Sequence, residues 1–91
     1  MAVTIRIRRI IPPHKLPLAG PLLDKVRELI HHQNGHLYTE VPEISIENST
    51  WSSLEAWKAW ESSRDWQAAK ACIEKLLDAK TECVIVPTAG R

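Results

Sequence analysis

Hydrophobic and polar residues alternate with a period of two in two parts of the chain, a pattern typical of β-strands that bury one face, and two further strands are predicted from weaker patterns. The clearest example is near the start, where Val3, Ile5 and Ile7 alternate with polar residues until Pro12 ends the pattern. The middle two strands are expected to form a hairpin with a tight or bulged turn near Pro42. The strands are predicted over residues 3–11, 36–41, 43–51 and 81–86.

The same alternation predicts which side chains share a face of the sheet. In the third strand, one set of alternating residues is Ile44, Ile46 and Asn48, and the other is Glu43, Ser45 and Glu47. If the strands turn their valines and isoleucines toward the helices, the opposite face shows Thr4, Arg6, Arg8, Ser45 and Glu47.

A period near 3.6 residues predicts helices between the strands. The first is expected over residues 21–33, and Asn34-Gly35 supplies a left-handed residue that ends it. Ser52 and Glu55 have the spacing of a capping box before a short helix over residues 53–62. A further helix starts at Ser62 or Ser63, and its apolar face is predicted to be Trp66, Ala69, Ile73, Leu76 and Leu77.

The resulting order, βαββαβ with the second helical unit split in two, predicts an α+β, ferredoxin-like fold with a four-stranded antiparallel sheet. Helices would cover one face of this sheet. The other face, with Thr4, Arg6 and Arg8, is either solvated or closed against a second copy with Arg–Glu pairs inside. We expect one domain over residues 1–91, with a frayed tail over residues 87–91.

Net charge, cysteine content and the length of the apolar runs indicate which classes of partner and cellular location to expect. The 91 residues carry a net charge of +1 with interspersed signs, so no basic stripe favours nucleic acid or a membrane surface. Two cysteines do not make a disulfide framework, and Cys72 is expected to fill the core. Without a signal-like segment or an apolar run of membrane-spanning length, we expect a soluble, cytoplasmic protein.

The four tryptophans of the chain lie within residues 51–66, and there is no phenylalanine. Such a cluster is either the main core anchor or the wall of an aromatic pocket, and the pattern alone favours core. Stereotyped catalytic motifs are absent from the sequence. His31, His32 and His36 are not expected to bind a metal, because adjacent histidines on a helix point in different directions.

The tryptophan segment, Ser-Thr-Trp-Ser-Ser-Leu-Glu-Ala-Trp-Lys-Ala-Trp-Glu-Ser-Ser over residues 49–63, resembles the antibiotic biosynthesis monooxygenase (ABM) family. The resemblance extends to Gln33-Asn34-Gly35 before it, to residues 73–77 after it, and to the opening strand and turn that end Arg9-Ile10-Ile11-Pro12-Pro13-His14-Lys15. It departs between Gly35 and Trp51, where the hairpin is several residues shorter than family members usually have.

The resemblance implies a dimeric α+β barrel, in which two ferredoxin-like protomers pack sheet against sheet. It also implies an oxygenase that uses no metal, flavin or other cofactor. Such an enzyme binds an electron-rich aromatic, such as a quinol or anthrone, favours its anion and lets that anion reduce O₂ directly. An aromatic-lined, water-poor pocket and a donor or cation are the physical requirements.

On this resemblance, the substrate pocket would lie between the sheet and the short helix. Its catalytic candidates are Trp60, His36 and Asn48, and its substrate-binding candidates are Trp57, Trp60, Arg6 and Arg8. A heme-degrading branch of the family uses a strand-one Asn, a helical Trp and a His ten residues later. Only Trp60 matches that set, because Arg8 and Lys70 stand at the other two positions.

Two alternatives stay open at this stage. A non-catalytic member of the same superfamily would be a dimer that binds a small ligand or is purely structural, and its tryptophans would be core. An RNA-binding ferredoxin-like domain would need aromatic residues on the sheet. The strands offer only Tyr38 and, at a strand end, Trp51, so the RNA-binding alternative is the weaker one.

Overall fold

The computed structural model describes residues 1–77 and 81–86, and the elements within them follow the predicted order. The tail predicted to fray, residues 87–91, lies outside the described residues. A 3₁₀ turn at Pro13–Lys15 follows the first strand. The strands and helices are β1 (Val3–Arg8), α1 (Leu16–His31), β2 (His36–Glu43), β3 (Ile46–Trp51), α2 (Leu54–Glu61), α3 (Arg64–Glu74) and β4 (Glu82–Val86).

The four strands form one antiparallel sheet in the order β2-β3-β1-β4. The helices cover the face that carries Ile5 and Ile7, both of which are buried. This arrangement is the predicted ferredoxin-like α+β fold. β1 is central because its alternating Val/Ile face is buried under the helices while both of its edges pair with neighbouring strands.

Helix α1 begins five residues earlier than predicted, at Leu16 rather than at residue 21. Pro17 is tolerated in the first turn, where backbone N–H groups have no intrahelical partner. Pro21 lies inside the helix and forgoes one backbone hydrogen bond there. The burial of Ala19 before this proline and of Leu23 after it keeps the helical path continuous through it.

Helix α1 ends at His31, before the predicted residue 33, and the predicted left-handed glycine lies further on, in the turn that leads to β2. Gly35 has a φ of 86°, a left-handed conformation that favours glycine. A Cβ at this position would also lie 2.5 Å from the Cβ of Ala56, so the turn packs directly on α2. Its carbonyl accepts a hydrogen bond from the Ser52 N–H at 2.7 Å. Gly35 thereby joins the beginning of β2 to the beginning of α2.

The hairpin between β2 and β3 contains two irregularities in register, one between His36 and Tyr38 and one between Glu40 and Glu43. The predicted bulge near Pro42 is therefore present. The turn itself lies further on, at residues 44–45, so β2 is longer and β3 shorter than predicted. Pro42 sits where the ladder is already interrupted, and its missing N–H costs no regular pair.

The predicted faces of β3 are wrong. Cα partners in the register place Glu47 beside Ile7 and Ser49 beside Ile5, so both point toward the helices, whereas Asn48 lies beside Arg6 on the open face. Glu47 was expected on the open face, yet its side chain is only 2% exposed. The inversion occurs because two arginines neutralise Glu47, which makes burial of its charge possible.

Both short helices begin at serine caps; the cap of α2 differs from the predicted capping box by one residue, and the cap of α3 is one of the two predicted serines. Ser53, rather than Ser52, caps α2, accepting a hydrogen bond from the Ala56 N–H at 3.1 Å. Ser63 caps α3 through the Trp66 N–H at 3.1 Å. A cap leaves fewer helix-end amides unsatisfied, which matters most in helices as short as these.

The core lies between the helices and the inner face of the sheet, where Trp51, Trp57, Trp60 and Trp66 are each at most 3% exposed. Trp66 and Ile73 of α3 are buried as predicted, whereas Leu76 and Leu77 are half-buried and follow the end of that helix. Cys72 was expected in the core but is exposed. Among the described residues, no helix is long and apolar enough to cross a membrane.

Trp66→Ala is expected to lower the free energy of unfolding by about 3–5 kcal/mol, because the cavity adds to the lost burial. Chemical denaturation followed by circular dichroism measures this loss. Leu18→Ala is the matched control, since Leu18 is an exposed apolar residue of a helix; its expected cost is below about 0.5 kcal/mol. Equal losses in the two variants would contradict the burial of Trp66.

Candidate functional site

A continuous row of aromatic rings packs between the helices and the sheet. The row runs from His36 through Trp51, Trp57 and Trp66 to Trp60, with ring centroids 5.3, 5.7, 6.3 and 5.9 Å apart in that order. The first three contacts are edge-on, the geometry that aromatic quadrupoles favour. His36 and Trp60, two of the predicted catalytic residues, therefore lie at opposite ends of this row and do not contact each other through it.

The buried indoles differ in how their N–H groups are satisfied. Trp51 donates to the Ser49 hydroxyl at 3.1 Å within the sheet. Trp60, only 1% exposed, has an indole N–H with no hydrogen-bond partner among the described residues. A buried tryptophan N–H usually finds a partner, so this donor is the exception that needs an explanation.

A cluster of three charged residues occupies the other end of the inner sheet face. Glu47 Oε1 accepts hydrogen bonds from Arg9 Nη1 at 3.2 Å and from Arg27 Nε at 3.1 Å. Arg9 and Glu47 are 4% and 2% exposed, whereas Arg27 reaches solvent and also contacts Asp24. Within the described part of the chain, Arg9 Nε, Arg9 Nη2 and Glu47 Oε2 are buried without a hydrogen-bond partner.

Neither Arg9 nor Glu47 was among the predicted site residues. A usable signal was present, because Arg9 continues the inward series Val3, Ile5, Ile7 by one further step of two. The inward direction of Glu47 had no such signal. It depends on the pairing of β3 with β1, and strand pairing cannot be determined from a single sequence.

His36 lies at the start of β2 and is half-buried against Trp51. Its Nε2 shares a hydrogen bond of 2.7 Å with the Thr39 hydroxyl. Burial lowers the pKa of the His36 imidazole below its ordinary value of 6.5, the nearby His31 lowers it further, and Glu47 opposes both. The neutral imidazole is thus favoured in the folded protein.

The remaining predicted residues lie on the opposite, open face of the sheet. Arg6 Nε donates to Asn48 Oδ1 at 3.4 Å, and Arg8 is the Cα partner of Ile46 in β3. Asn48 also lines a hollow of about 300 Å³ with Glu40, Val41 and Pro42. The structure thus brings Arg6 together with Asn48 but separates both from the tryptophans by the thickness of the sheet.

This placement corrects the expected single pocket. Trp57 and Trp60 lie in the packed core between the sheet and α2, whereas the side chains of Asn48, Arg6 and Arg8 lie on the other face of the sheet. The physical reason is the period of two, since Arg6 and Arg8 alternate with the inward Ile5 and Ile7, and Asn48 is the Cα partner of Arg6.

A groove of about 250 Å³ on the outside of the molecule separates α1 from α3. Its lining is mostly aliphatic, with Lys25 and Asp65 at its edge and Cys72 among its walls. It shares none of the predicted site residues. The full lining is Leu22, Lys25, Val26, Leu29, Asp65, Ala68, Ala69 and Cys72.

No protein-family model matches the chain, and no curated protein matches it in sequence. Solved structures match it in fold. Rv0793 from Mycobacterium tuberculosis gives a TM-score of 0.86 at 14% identity, covering 100% of this chain and 98% of that chain. A variant of SnoaB, a cofactor-independent oxygenase from Streptomyces nogalater, gives 0.81 at 10% identity, covering 99% and 95%.

A further solved structure, described as an antibiotic biosynthesis monooxygenase, gives a TM-score of 0.77 at 12% identity and covers 99% of this chain and 100% of that chain. Identities this low establish shared fold, and fold does not by itself carry function. The chain therefore has an ABM-like fold, as the resemblance in its sequence implies.

The lowered pKa of His36 predicts a loss of stability in mild acid. Between the lowered pKa and 6.5 the unfolded chain binds more protons than the folded one, so stability falls as the pH drops through that window. Thermal melts at about pH 7.5 and about pH 5.5 measure the loss. His36→Gln should reduce it, whereas the control His14→Gln, at an exposed position, should not.

Proposed function

We propose that the protein is an ABM-type monooxygenase that oxidises a small aromatic or quinol substrate without a metal or flavin. The observation that carries this proposal is the buried, unpartnered indole N–H of Trp60 at the end of a wall of aromatic rings. The fold likeness to SnoaB, a cofactor-independent oxygenase, supports the same class of reaction.

Trp60 has the chemistry that an aromatic substrate with an oxygen substituent would need. Its N–H would donate to a phenolic or carbonyl oxygen, and the neighbouring Trp57 and Trp66 would provide apolar contact for the ring. Exclusion of water strengthens such a hydrogen bond and favours oxygen chemistry over side reactions. Trp60 and Trp57 thus keep the roles that the resemblance implies.

The reaction proposed here is balanced by the substrate alone. A dihydroxyaromatic loses a proton, and the resulting anion supplies the electrons that reduce O₂. One oxygen atom enters the ring, the other leaves as water, and the product is a hydroxyquinone. The protein must bind the anion, orient it and keep water out; these are contributions of positioning and electrostatics.

His36 has a narrower role in this proposal than the resemblance implies. Its neutral imidazole could accept a proton, but three indole rings separate it from Trp60 along the aromatic row. A proton acceptor must come within hydrogen-bond reach of the group it deprotonates. We therefore assign the substrate contact to Trp60, and His36 would act only on a substrate long enough to reach Trp51.

A second candidate function is non-catalytic, with the same fold binding a small ligand or serving as a structural dimer. The observation in its favour is the tight packing of the tryptophans, each at most 3% exposed. Core packing alone accounts for Trp51, Trp57 and Trp66. It does not account for the unpartnered N–H of Trp60, and the oxygen-uptake experiment below separates the two functions.

We also propose that the protein is a homodimer through the open face of the sheet. This face carries Tyr38 and Val84, which are 50% and 55% exposed, on either side of Arg6, Arg8 and Asn48. Exposed apolar residues that share one face are typical of a surface that another protein covers. In such a dimer Arg6, Arg8 and Asn48 would be interface residues rather than substrate contacts.

Purified protein, free of metal and flavin, is expected to consume O₂ with a naphthohydroquinone faster than the spontaneous rate. Trp60→Phe should lower kcat/KM at least about tenfold with little loss of stability, because the ring is retained while the donor is lost. Trp51→Phe is the matched control. It breaks a hydrogen bond that is already made, so it should cost more stability and less turnover.

Oxygen electrodes and product analysis for the hydroxyquinone provide the measurement. Uptake no faster than in buffer across a panel of dihydroxyaromatics would overturn the oxygenase proposal in favour of the non-catalytic candidate. Equal effects of the Trp60 and Trp51 changes on turnover would remove Trp60 from the site.

Sedimentation at micromolar concentration is expected to show a dimer. Its interface should bury more than about 1,200 Å², the lower end for stable specific interfaces. Val84→Lys should shift the protein toward monomer, because it places a second cation beside Arg6 on the open face. The control Leu18→Lys alters an exposed apolar residue on α1 and should leave the dimer intact. A monodisperse wild-type monomer would contradict the proposal.

A further inference from the structure

We propose that Arg9 is an anion-recognition residue and that the ligand it recognises is a small aromatic carboxylate. The guanidinium is 4% exposed, and two of its three nitrogens have no hydrogen-bond partner within the described residues. The assignment of this anion to the substrate rests on the oxygenase function proposed above. The anion site itself stands on the geometry of Arg9.

The two free nitrogens are Nε and Nη2, which together form one edge of the planar guanidinium. Their N–H bonds point in nearly the same direction and match the spacing of the two oxygens of a carboxylate. Nη1, on the other side, already donates to Glu47 Oε1 at 3.2 Å. One edge of Arg9 is thus left for a bidentate partner while the residue is held in place by Glu47.

The cluster holds two arginines and two carboxylates, so its formal charges balance, but its contacts leave two donors of Arg9 and Oε2 of Glu47 without partners among the described residues. Glu47 is the anion shared by both Arg9 and Arg27, and it uses one oxygen for both contacts. Asp24 contacts only the solvent-facing Arg27 at 3.4 Å. A buried guanidinium with unsatisfied donors is costly unless an anion or a strong acceptor meets it, so the free edge favours a negatively charged group.

We assign an aromatic ring to the rest of the ligand because Arg9 shares the inner face of the sheet with the tryptophans, although it lies at the other end of that face. Arg9 follows Ile7 on the inner face of β1, the face that the four buried tryptophans also cover. Along this face of β3 the residues change from Trp51 through Ser49 to Glu47, from aromatic to charged. A molecule with a flat ring and one carboxylate is complementary to this gradient, whereas a fully apolar ligand would leave Arg9 unpaired.

A single pair of ligands tests the charge preference on the wild-type protein. Benzoate and benzamide have the same ring and nearly the same planar shape but differ in charge. We expect benzoate to bind at least about tenfold more tightly than benzamide, as charge-assisted bidentate hydrogen bonds require. Titrations followed by the indole N–H resonances in NMR spectra measure both affinities without any turnover.

Arg9→Lys keeps the charge but removes the paired donor edge, so it should reduce the preference for benzoate to about threefold or less. Arg64→Lys makes the same chemical change at an exposed position on α3 and should retain the full preference. Because a change at Arg9 disturbs a buried ion pair, the fold of each variant is checked by circular dichroism. The benzoate–benzamide comparison on wild-type protein holds whether or not the variant folds.

The outcomes separate this inference from the proposed function. Equal binding of benzoate and benzamide, or a full preference retained in Arg9→Lys, would overturn the anion site even if neutral quinols are oxidised. A strong preference for benzoate that Arg9→Lys abolishes supports the site, even if no quinol is turned over. In that case the oxygenase proposal fails, and the protein is a binder of aromatic acids.

Discussion

The antiparallel register between β1 and β3 is the constraint on which the rest of the structure depends. It pairs Ile7 with Glu47 and Arg6 with Asn48, and thereby decides which side chains the helices cover. A shift of one residue would place Glu47 on the open face and Asn48 among the tryptophans. The ion pair of Arg9 with Glu47 and the backbone bond from the Arg9 N–H to the Ser45 carbonyl hold this register at the far end of the strands.

Element order and fold class were predictable because they follow from local signals. The Val/Ile alternation of β1, the glycine in the turn after α1 and the tryptophan spacing of α2 each depend on neighbouring residues in the sequence. Errors of boundary arose where tertiary packing overrode a local rule. The burial of Ala19 and Leu23 carries α1 through Pro21, and Ser53 rather than Ser52 has the extended backbone that a cap requires.

The candidate site was less predictable than the fold, since a site depends on which faces come together. Helical spacing predicted that Trp57 and Trp60 share one side of α2, but no local pattern indicates that the sheet separates them from Asn48. Hydrophobicity patterns also assign charged residues to the outside. Arg9 and Glu47 escape that rule only as a pair, and pairing across 38 residues of sequence is invisible to local patterns.

The aromatic end and the charged end of the buried face differ in how far a contribution to stability explains the residues found there. Aromatic rings that pack edge to edge stabilise a small domain directly, so Trp51, Trp57 and Trp66 need no ligand to account for them. A buried ion pair is different, because apolar residues of similar volume often stabilise a fold as well or better. Holding the register accounts for the contact between Arg9 and Glu47, but it does not account for the free edge of Arg9. The charged end, with Arg9 and Glu47, is not part of the site that the family resemblance implies. A functional role is most needed there to explain the residues present.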